Sequence, residues 1–368
     1  MDFTLDSETE ALRDAVRGLI GKAYDSSETR REVTKTDPGF GEKTWQRLAE
    51  MGVLGLPFSE EDGGTGAGPV EVSVVAEELG RVIAPEPVIE TLLAGGLVAD
   101  LGSDEQRADI IGPISEGQLV VAFAHLDLGE AVTASGSGDS WTLTGVKEPV
   151  LHGARADRLV VTAITEAGVG VFLVDPADAD ITGYRTFDGG RAARIAFSGT
   201  AATPLGDPSA DASDAVAKAV ARAQIAYCHE AVGAMETALR TTTEYLKTRK
   251  QFGVPLNTFQ ALTFRAADMY VSLELAKSAT AWATLVLADA PERAVEAASR
   301  AKLQVARSGR HIGQEAIQLH GGIGMTAEYS VGHYMSRLTA INHYLGDADD
   351  HVASLSAGLR EYGTVDPL

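Results

Sequence analysis

The stretch TRKQFGVPLNTFQALTFRAADMY, residues 248–270, separates two long helical patterns in the C-terminal part of the chain. The first pattern ends at Arg249, and Phe252 with Gly253 then turns the chain. Pro255 prevents a return to helix, and Gln260 stands early on the next helical pattern. The stretch therefore predicts a turn between two helices of a bundle.

A glycine cluster follows the helical pattern of a second stretch, QEAIQLHGGIGMTAEYSVGHYMSR, residues 314–337. The helix is predicted to end near Gln318, and Gly321, Gly322 and Gly324 come next. Glycines leave backbone N–H groups open to close approach by an anion, which suits a pyrophosphate. The cluster therefore indicates an anion-binding turn, although a glycine pair after a helix also serves as an ordinary C-cap.

The side chains of the two stretches add hydrogen-bond donors and an aromatic surface. Arg249, at a helix end, can pair with a pyrophosphate in bidentate fashion, and Phe252 offers a ring. Gln260 and Gln318 offer amide groups. Taken singly, an arginine is also compatible with a solvated face and a phenylalanine with the core. The argument therefore depends on the combination.

Long helical patterns fill residues 207–368. The first runs from Asp214 through Lys247, the second from Thr258 to Leu287, and the third from Pro291 to Leu319. Helices of this length pack best as an antiparallel four-helix bundle.

The rest of the chain divides into two zones. Residues 1–118 combine amphipathic segments with a glycine-rich loop, EEDGGTGAGP, and predict an N-terminal helical domain. Residues 119–206 carry short β-branched or alternating segments, such as DRLVVTAI and GVGVFLVD, and predict a small β-sandwich or barrel. Helices, then strands, then helices indicate an α+β fold with domains at 1–118, 119–206 and 207–368.

Composition argues against several classes of protein. The 368 residues carry a net charge of −21 and no long basic run, so we expect neither a nucleic-acid nor a membrane partner. No stretch is apolar for the roughly 18 residues that a membrane helix needs, and the N-terminus lacks the features of a signal peptide. We therefore expect a cytoplasmic protein. The single cysteine, Cys228, allows no disulfide framework.

In this order and spacing, the two stretches resemble the acyl-CoA dehydrogenase family. The family carries an R-x-x-F-G run that continues to F-Q, and a Q-x-x-G-G-x-G run. Both occur here, at residues 249–260 and 318–324. TWQRLAEMGVLGLPFSEEDGGTG and VVAEELGR look like the family's N-terminal helices and loop. GVKEPVLHGARADRLVVTA looks like part of its β-domain, so the resemblance extends along the whole chain.

The resemblance implies a fold, a cofactor and a reaction. Members of this family combine a helical domain, a β-domain and a four-helix domain, assemble as dimers of dimers, and bind FAD at a subunit interface. They desaturate acyl-CoA thioesters: a carboxylate removes the α-proton, and the β-hydrogen leaves as hydride to the flavin. Electrons then pass to an electron-transfer flavoprotein. By this resemblance, six residues of this chain contact a FAD housed mainly by another subunit: Arg249, Phe252, Gln260, Gln318, Gly321 and Gly322.

The catalytic carboxylate of the family has no evident counterpart in this sequence. In many members the base is a glutamate directly before a glycine, and the matching pair here is Leu345 and Gly346. The other position used in the family falls near Ala223 on the long helix, and Arg222 beside it is out of register with the family's arginine. The catalytic residue therefore stays unknown.

The β-domain departs from the family's pattern as well. The T-E-P-x-x-G-S-D-like run that meets flavin and substrate is replaced by AFAHLDLGEAV, which has Ala124, His125 and Leu126 in those places. The W-I-T-like segment that lies against the flavin is represented by residues 150–152, Val-Leu-His, and the aromatic residue is gone.

One half of a cofactor site is thus kept and the other half is degraded. In a homo-oligomer every retained contact would face a defective pocket. We therefore expect a hetero-oligomer in which a related subunit supplies the flavin pocket and the base. This pattern is similar to the α2β2 members of the family that act on CoA thioesters of steroid side chains. The alternatives are a homo-oligomeric dehydrogenase with a displaced base, such as Asp347 or Glu230, and a non-catalytic scaffold homologue.

The segment LGDADDH, residues 345–351, has three interpretations. Its aspartates and histidine can crowd around a cation, one aspartate can act as the base, or the aspartates can cap the final helix. Adjacent residues rarely converge on one ion without a defined loop, and aspartate is favoured at helix N-termini. We expect caps and no metal site.

Overall fold

The computed structural model describes residues 5–138 and 140–358. The α-helices of this part of the chain are α1 (Ser7–Ala23), α2 (Ser27–Lys35), α3 (Glu42–Glu50), α4 (Pro69–Val82), α5 (Val88–Leu101), α6 (Asp104–Ser115), α7 (Ser213–Thr248), α8 (Gln260–Asp289), α9 (Ala294–His320), α10 (Val331–His343) and α11 (Ala348–Gly358). The strands are β1 (Val121–Ala124), β2 (Thr133–Ser137), β3 (Ser140–Leu151), β4 (Arg158–Thr165), β5 (Gly168–Val174), β6 (Asp180–Arg185), β7 (Arg191–Pro204), β8 (Lys250–Gln251) and β9 (Val254–Pro255).

The predicted α+β class is confirmed, with helices before and after a central sheet. The three long C-terminal helices also form close to their predicted limits. Their apolar faces are buried, and a proline stands in the short 3₁₀ turn Pro291–Arg293 before α9, where a missing N–H does no harm. No helix of the described residues is long and apolar enough to cross a membrane.

Contacts within the chain group it into two compact units. The first contains residues 5–30, Ser73–Ala84 and residues 224–358, and the second contains Arg31–Val72 and Pro85–Ala223. The first unit is helical. In it, α8, α10 and α11 pack against α9. Helix α7 also contacts this group, because Lys277 Nζ in α8 lies 3.3 Å from Glu236 Oε1 in α7.

Two glycines let α4 and α7 cross closely within the first unit. A Cβ atom added to Gly80 would lie 1.9 Å from the carbonyl oxygen of Glu230, and one added to Gly233 would lie 1.9 Å from that of Glu77. Real Cβ atoms do not approach so closely, so any side chain at either position would push the helices apart. Gly233, which interrupts the apolar pattern of α7, therefore serves packing.

The second unit is built on a mixed seven-stranded sheet, in the order β1-β4-β2-β3-β7-β5 with β6 on β7. Its core consists of alternate, inward-facing residues such as Leu143, Val161 and Phe172. The sequence predicted a sandwich or barrel, whereas the sheet is not a closed barrel. Strand β2 meets β4 at a single residue pair, Thr133 with Ile164, so the ring of paired strands is nearly open there.

Candidate functional site

The turn between α7 and α8 presents the first group of predicted residues. Arg249 follows the last residue of α7, and its carbonyl oxygen accepts a hydrogen bond of 2.9 Å from the N–H of Leu256, which closes the β8–β9 hairpin. Phe252 stands at the hairpin tip with a φ of 51° and 92% of its surface exposed. A left-handed backbone is costly for a phenylalanine, so the hairpin holds this ring outward despite local preference.

The end of α9 presents the second group. Gly321 has a φ of 66° and donates its N–H to the carbonyl oxygens of Gln318 and Ile317, so it is the C-cap of α9. A Cβ atom added to Gly321 or Gly322 would meet nothing within 4 Å. The turn therefore caps α9, and its backbone is also open to the approach of another group.

Two contacts bring the groups to one end of the helical unit. Arg265 in α8 forms a bidentate ion pair with Glu315 in α9, at 2.5 and 3.0 Å. The ring of Tyr245 near the end of α7 stacks on that of His320 at the end of α9, with centroids 4.4 Å apart. The structure thus gathers the six predicted residues, Arg249, Phe252, Gln260, Gln318, Gly321 and Gly322, and all six are exposed.

This surface fits the adenosine and pyrophosphate half of a dinucleotide. Arg249 makes no ion pair with any residue of the described chain, so its guanidinium is available to an anion. The glycine backbone, two amides and an exposed ring lie at the same end of the helical unit. The surface is open, however, and an open surface cannot exclude water from a cofactor.

His125, at the first departure from the family's pattern, is tied into the sheet of the second unit. Its ring stacks on Phe123 with centroids 5.1 Å apart, and its Nδ1 lies 3.1 Å from Thr162 Oγ1. Its carbonyl oxygen accepts from Lys147 Nζ, which also pairs with Asp127 at 2.7 Å. Burial, with the Lys147 ammonium nearby, lowers the pKa of His125 to about 4. The ring is therefore neutral at neutral pH and cannot supply a positive charge.

The neighbouring positions offer few groups for a flavin. Ala124 is fully buried, whereas Leu126 is 41% exposed and apolar. Val150 is fully buried in the core, and His152 packs edge-on against Phe40 with ring centroids 6.2 Å apart. These side chains mostly serve the packing of the second unit.

Leu345 stands in a turn that the interior of the first unit holds in place. It has a φ of 58°, and its carbonyl oxygen accepts a hydrogen bond of 2.6 Å from Gln224 Nε2. Lys302, 1% exposed, donates to the carbonyl oxygens of Ile341 and Tyr344 at 2.5 and 2.8 Å. Burial lowers the pKa of Lys302 to about 8. An ammonium here satisfies the carbonyl end of α10.

Sequence reasoning missed Lys302. The signal was available, because this lysine falls on the apolar face of α9 that also carries Ala298, Val305 and Ile312. A lysine in such a position is buried only when it has partners.

Two displaced-base candidates are engaged elsewhere. Asp347 Oδ1 accepts from the N–H groups of Asp349 and Asp350 at 2.9 and 3.1 Å, and these bonds hold the pKa of Asp347 below its usual range. Asp350 Oδ2 in turn accepts from the N–H of Asp347. The predicted capping of the final helix is thus confirmed. Glu230, 3% exposed, is paired with Arg337 at 2.6 and 3.0 Å.

The second position that the family uses for its base falls near Ala223, beside Arg222. Arg222 forms an ion pair with Asp100, and Ala223 is buried. In the described residues, no group of three or more His, Cys, Asp or Glu side chains is arranged to hold a metal ion.

Comparison with known families identifies the chain. Residues 6–118 match the acyl-CoA dehydrogenase N-terminal domain, and residues 214–359 match the acyl-CoA dehydrogenase C-terminal domain. The chain belongs to the acyl-CoA dehydrogenase family. The recognition made from the two stretches around Arg249 and Gly321 is confirmed.

Relatives match this member of the acyl-CoA dehydrogenase family over nearly its whole length. "Acyl-CoA dehydrogenase FadE27" of Mycobacterium tuberculosis is 29% identical, over 98% of this chain and 99% of its own. The solved "Tcur3481-Tcur3483 steroid ACAD G363A variant" is 30% identical with a TM-score of 0.89, over 97% of this chain and 99% of its own. The ChsE4–ChsE5 complex of Mycobacterium tuberculosis is 27% identical with a TM-score of 0.92, over 99% and 100%.

FAD is the cofactor of solved acyl-CoA dehydrogenases, and one glutaryl-CoA dehydrogenase has been solved in complex with FADH2. The fit described above, of an exposed arginine, open glycine backbone and amides, agrees with this cofactor.

Proposed function

We propose that this acyl-CoA dehydrogenase is a subunit of a hetero-oligomer and donates the trans half of a FAD site to a related subunit. The observation that carries the proposal is the outward exposure of all six nucleotide-contact residues at one end of the helical unit. Such an open surface becomes a cofactor site only when another chain covers it. Relatives solved as Tcur3481–Tcur3483 and ChsE4–ChsE5, each named for two components, support a two-component assembly.

The replaced positions favour a partner that differs from this chain. Where the family places flavin-contacting groups, this chain has Ala124, a neutral His125 and apolar residues, and where the family has a glutamate it has Leu345. In a complex of identical chains, each Arg249 surface would meet such a pocket. A partner with an intact flavin pocket and carboxylate removes that conflict.

The proposed reaction is the α,β-desaturation of an acyl-CoA thioester. FAD, when bound, accepts the hydride that leaves the β-carbon. In this assignment Arg249 binds the pyrophosphate, the backbone at Gly321 and Gly322 approaches it, and Gln260 and Gln318 orient the adenosine half. Phe252 covers that half from water. The carboxylate base belongs to the partner, and an electron-transfer flavoprotein is the proposed acceptor.

A CoA thioester of a steroid side chain is the proposed substrate class. It is suggested by the steroid dehydrogenase among the solved relatives. A chain that keeps only one half of the cofactor site halves the number of active sites in a tetramer and leaves room for a bulky acyl group. This assignment would place the enzyme in steroid degradation, a branch of lipid metabolism.

The test is expression of the chain alone and together with the acyl-CoA dehydrogenase encoded beside it. The proposal expects a colourless chain alone, and a yellow pair that reduces a dye in the presence of acyl-CoA. A yellow, active chain alone would instead establish a homo-oligomer with a displaced base. Flavin in neither preparation would indicate a non-catalytic scaffold.

A further inference from the structure

His320, the last residue of α9, is a histidine with only 4% of its surface exposed. Its ring stacks on that of Tyr245 in α7, with centroids 4.4 Å apart, and contacts that of Tyr329 at 4.9 Å. The rings of Tyr245 and Tyr329 also meet each other, at 6.3 Å. We call these three residues the aromatic cluster. It joins the end of α7, the end of α9 and the chain just before α10.

The glycine turn Gly321–Met325 rests on His320. A Cβ atom added to Gly324 would lie 3.0 Å from the Cβ atom of His320 and 3.0 Å from the carbonyl oxygen of Ile317. The turn therefore packs directly on the last residues of α9 at Gly324, whereas Gly321 and Gly322 are exposed. The position of the backbone predicted to meet a pyrophosphate thus depends on how His320 is held.

The imidazole of His320 fits this place in its neutral form. Its Nδ1 lies 2.7 Å from the carbonyl oxygen of Ala316, so Nδ1 carries the proton and donates to that oxygen. Its Nε2 is buried and has no hydrogen-bond partner among the described residues. A second proton, on Nε2, would be a buried charge without an acceptor. Burial accordingly lowers the pKa of His320, and the bond to Ala316 only partly opposes this.

The groups that face His320 do not neutralise an imidazolium. They are the phenol rings of Tyr245 on α7 and Tyr329 after the turn, and the Ala316 carbonyl on its own helix. Phenols keep their protons throughout the acid range, and burial raises the pKa of Tyr329 further. Attraction between a cation and an aromatic face is weaker than the cost of burying an ion that has no counter-ion. Protonation of His320 therefore favours a conformation in which its ring reaches water.

We propose that His320 is a positioning residue for the nucleotide site. In its neutral form it holds the glycine turn in the shape that receives the pyrophosphate, and its protonation releases the turn. This inference rests on the proposed function, because that function places a pyrophosphate at Gly321 and Gly322.

The direction of the pH dependence follows from the two states of the turn. In the released turn the ring titrates near its ordinary pKa of 6.5, whereas the pKa of the held ring is lower. Between these two values the released state binds more protons. The held turn is therefore favoured at pH above 6.5 and loses stability as the pH falls below it.

The first test is amide hydrogen exchange of the full chain as it is isolated, alone or with its partner, and free of FAD. The N–H groups of Gly321 and Thr326 report on the turn, since they donate to the Gln318 and Ile323 carbonyl oxygens. After correction for the intrinsic exchange rate, their protection should fall by about 3- to 10-fold from about pH 6.5 to about pH 5.5. Protection that stays constant across this range in the wild-type chain would overturn the inference.

His320→Phe keeps a ring in the aromatic cluster and cannot take a proton, so its turn should exchange independently of pH in this range. His333→Gln is the matched control, because His333 Nε2 lies 3.0 Å from the Ala327 carbonyl oxygen, close after the same turn. A glutamine amide can still donate to that oxygen, and this variant should keep the wild-type pH dependence. Loss of the dependence in His333→Gln, or its persistence in His320→Phe, would assign it to another group and overturn the inference.

The second test is FAD titration of the flavin-depleted pair at the same two pH values. The FAD dissociation constant should rise by about 3- to 10-fold more in the wild-type pair than in the His320→Phe pair as the pH falls. An equal change in both pairs would show that His320 does not position the nucleotide site.

The two tests separate this inference from the proposed function. A pair that binds no FAD would refute the proposed function, while hydrogen exchange would still decide whether His320 holds the turn. A yellow, active pair whose turn exchanges in the same way in the wild type and in His320→Phe would leave the proposed function standing and overturn this inference.

Discussion

Replacing Arg249 with alanine should weaken FAD binding by the assembled pair and leave the fold intact. The guanidinium is exposed and has no ion-pair partner in the described chain, so its removal leaves no buried charge uncompensated. The free energy of unfolding should change by no more than about 0.5 kcal/mol. Hydrogen bonds to a charged group contribute about 1.5–3 kcal/mol, which corresponds to a rise of about 10- to 150-fold in the FAD dissociation constant.

The assay is titration of the flavin-depleted pair with FAD, followed by flavin fluorescence. Arg310→Ala is the matched control, since Arg310 is also exposed on a helix of the same unit but lies outside the two stretches. Arg249→Lys should retain part of the affinity, because an ammonium keeps the charge but not the bidentate geometry. An Arg249→Ala pair that binds FAD as tightly as the wild-type pair would refute the assignment of the trans site.

Three more predictions concern other parts of the chain. Gly233→Ala should lower the free energy of unfolding by about 1–3 kcal/mol in denaturant titration, because its Cβ would meet the Glu77 carbonyl oxygen. Gly21→Ala on α1 is the control: its Cβ would meet nothing within 4 Å, so it should not destabilise the protein. Leu345→Glu should give the chain alone no acyl-CoA-dependent dye reduction, because the flavin half of its own site is also replaced; such activity would show that its own pocket works. Burial lowers the pKa of Lys302 from its ordinary value of 10.5 to about 8 in the folded state, so between these values the unfolded state binds more protons. Wild-type stability relative to Lys302→Met should therefore rise with pH across that window, and a flat difference in urea titrations would contradict the lowered pKa of Lys302.

Much of the fold was predictable because local signals agree with it. Apolar periodicity predicts the helices α7, α8 and α9. Residues that end a helix predict the turn at Phe252–Gly253. The aspartates of LGDADDH were predictable as caps, because a cap is satisfied by N–H groups only two or three residues away. The openness of the sheet was not, since it depends on which strand edges meet across the fold.

The sequence by itself determined the family and the two stretches that can bind a nucleotide, because residue order and spacing are enough to recognise them. It also predicted, by resemblance to the family, that Leu345 stands where many members carry the glutamate base. Only the tertiary structure decided that the six residues predicted to contact the nucleotide are exposed together. It alone decided that Glu230 is held by Arg337, 107 positions away in sequence. Exposure and ion pairing depend on contacts between segments that are distant in sequence. The local sequence pattern does not specify which of these segments pack together.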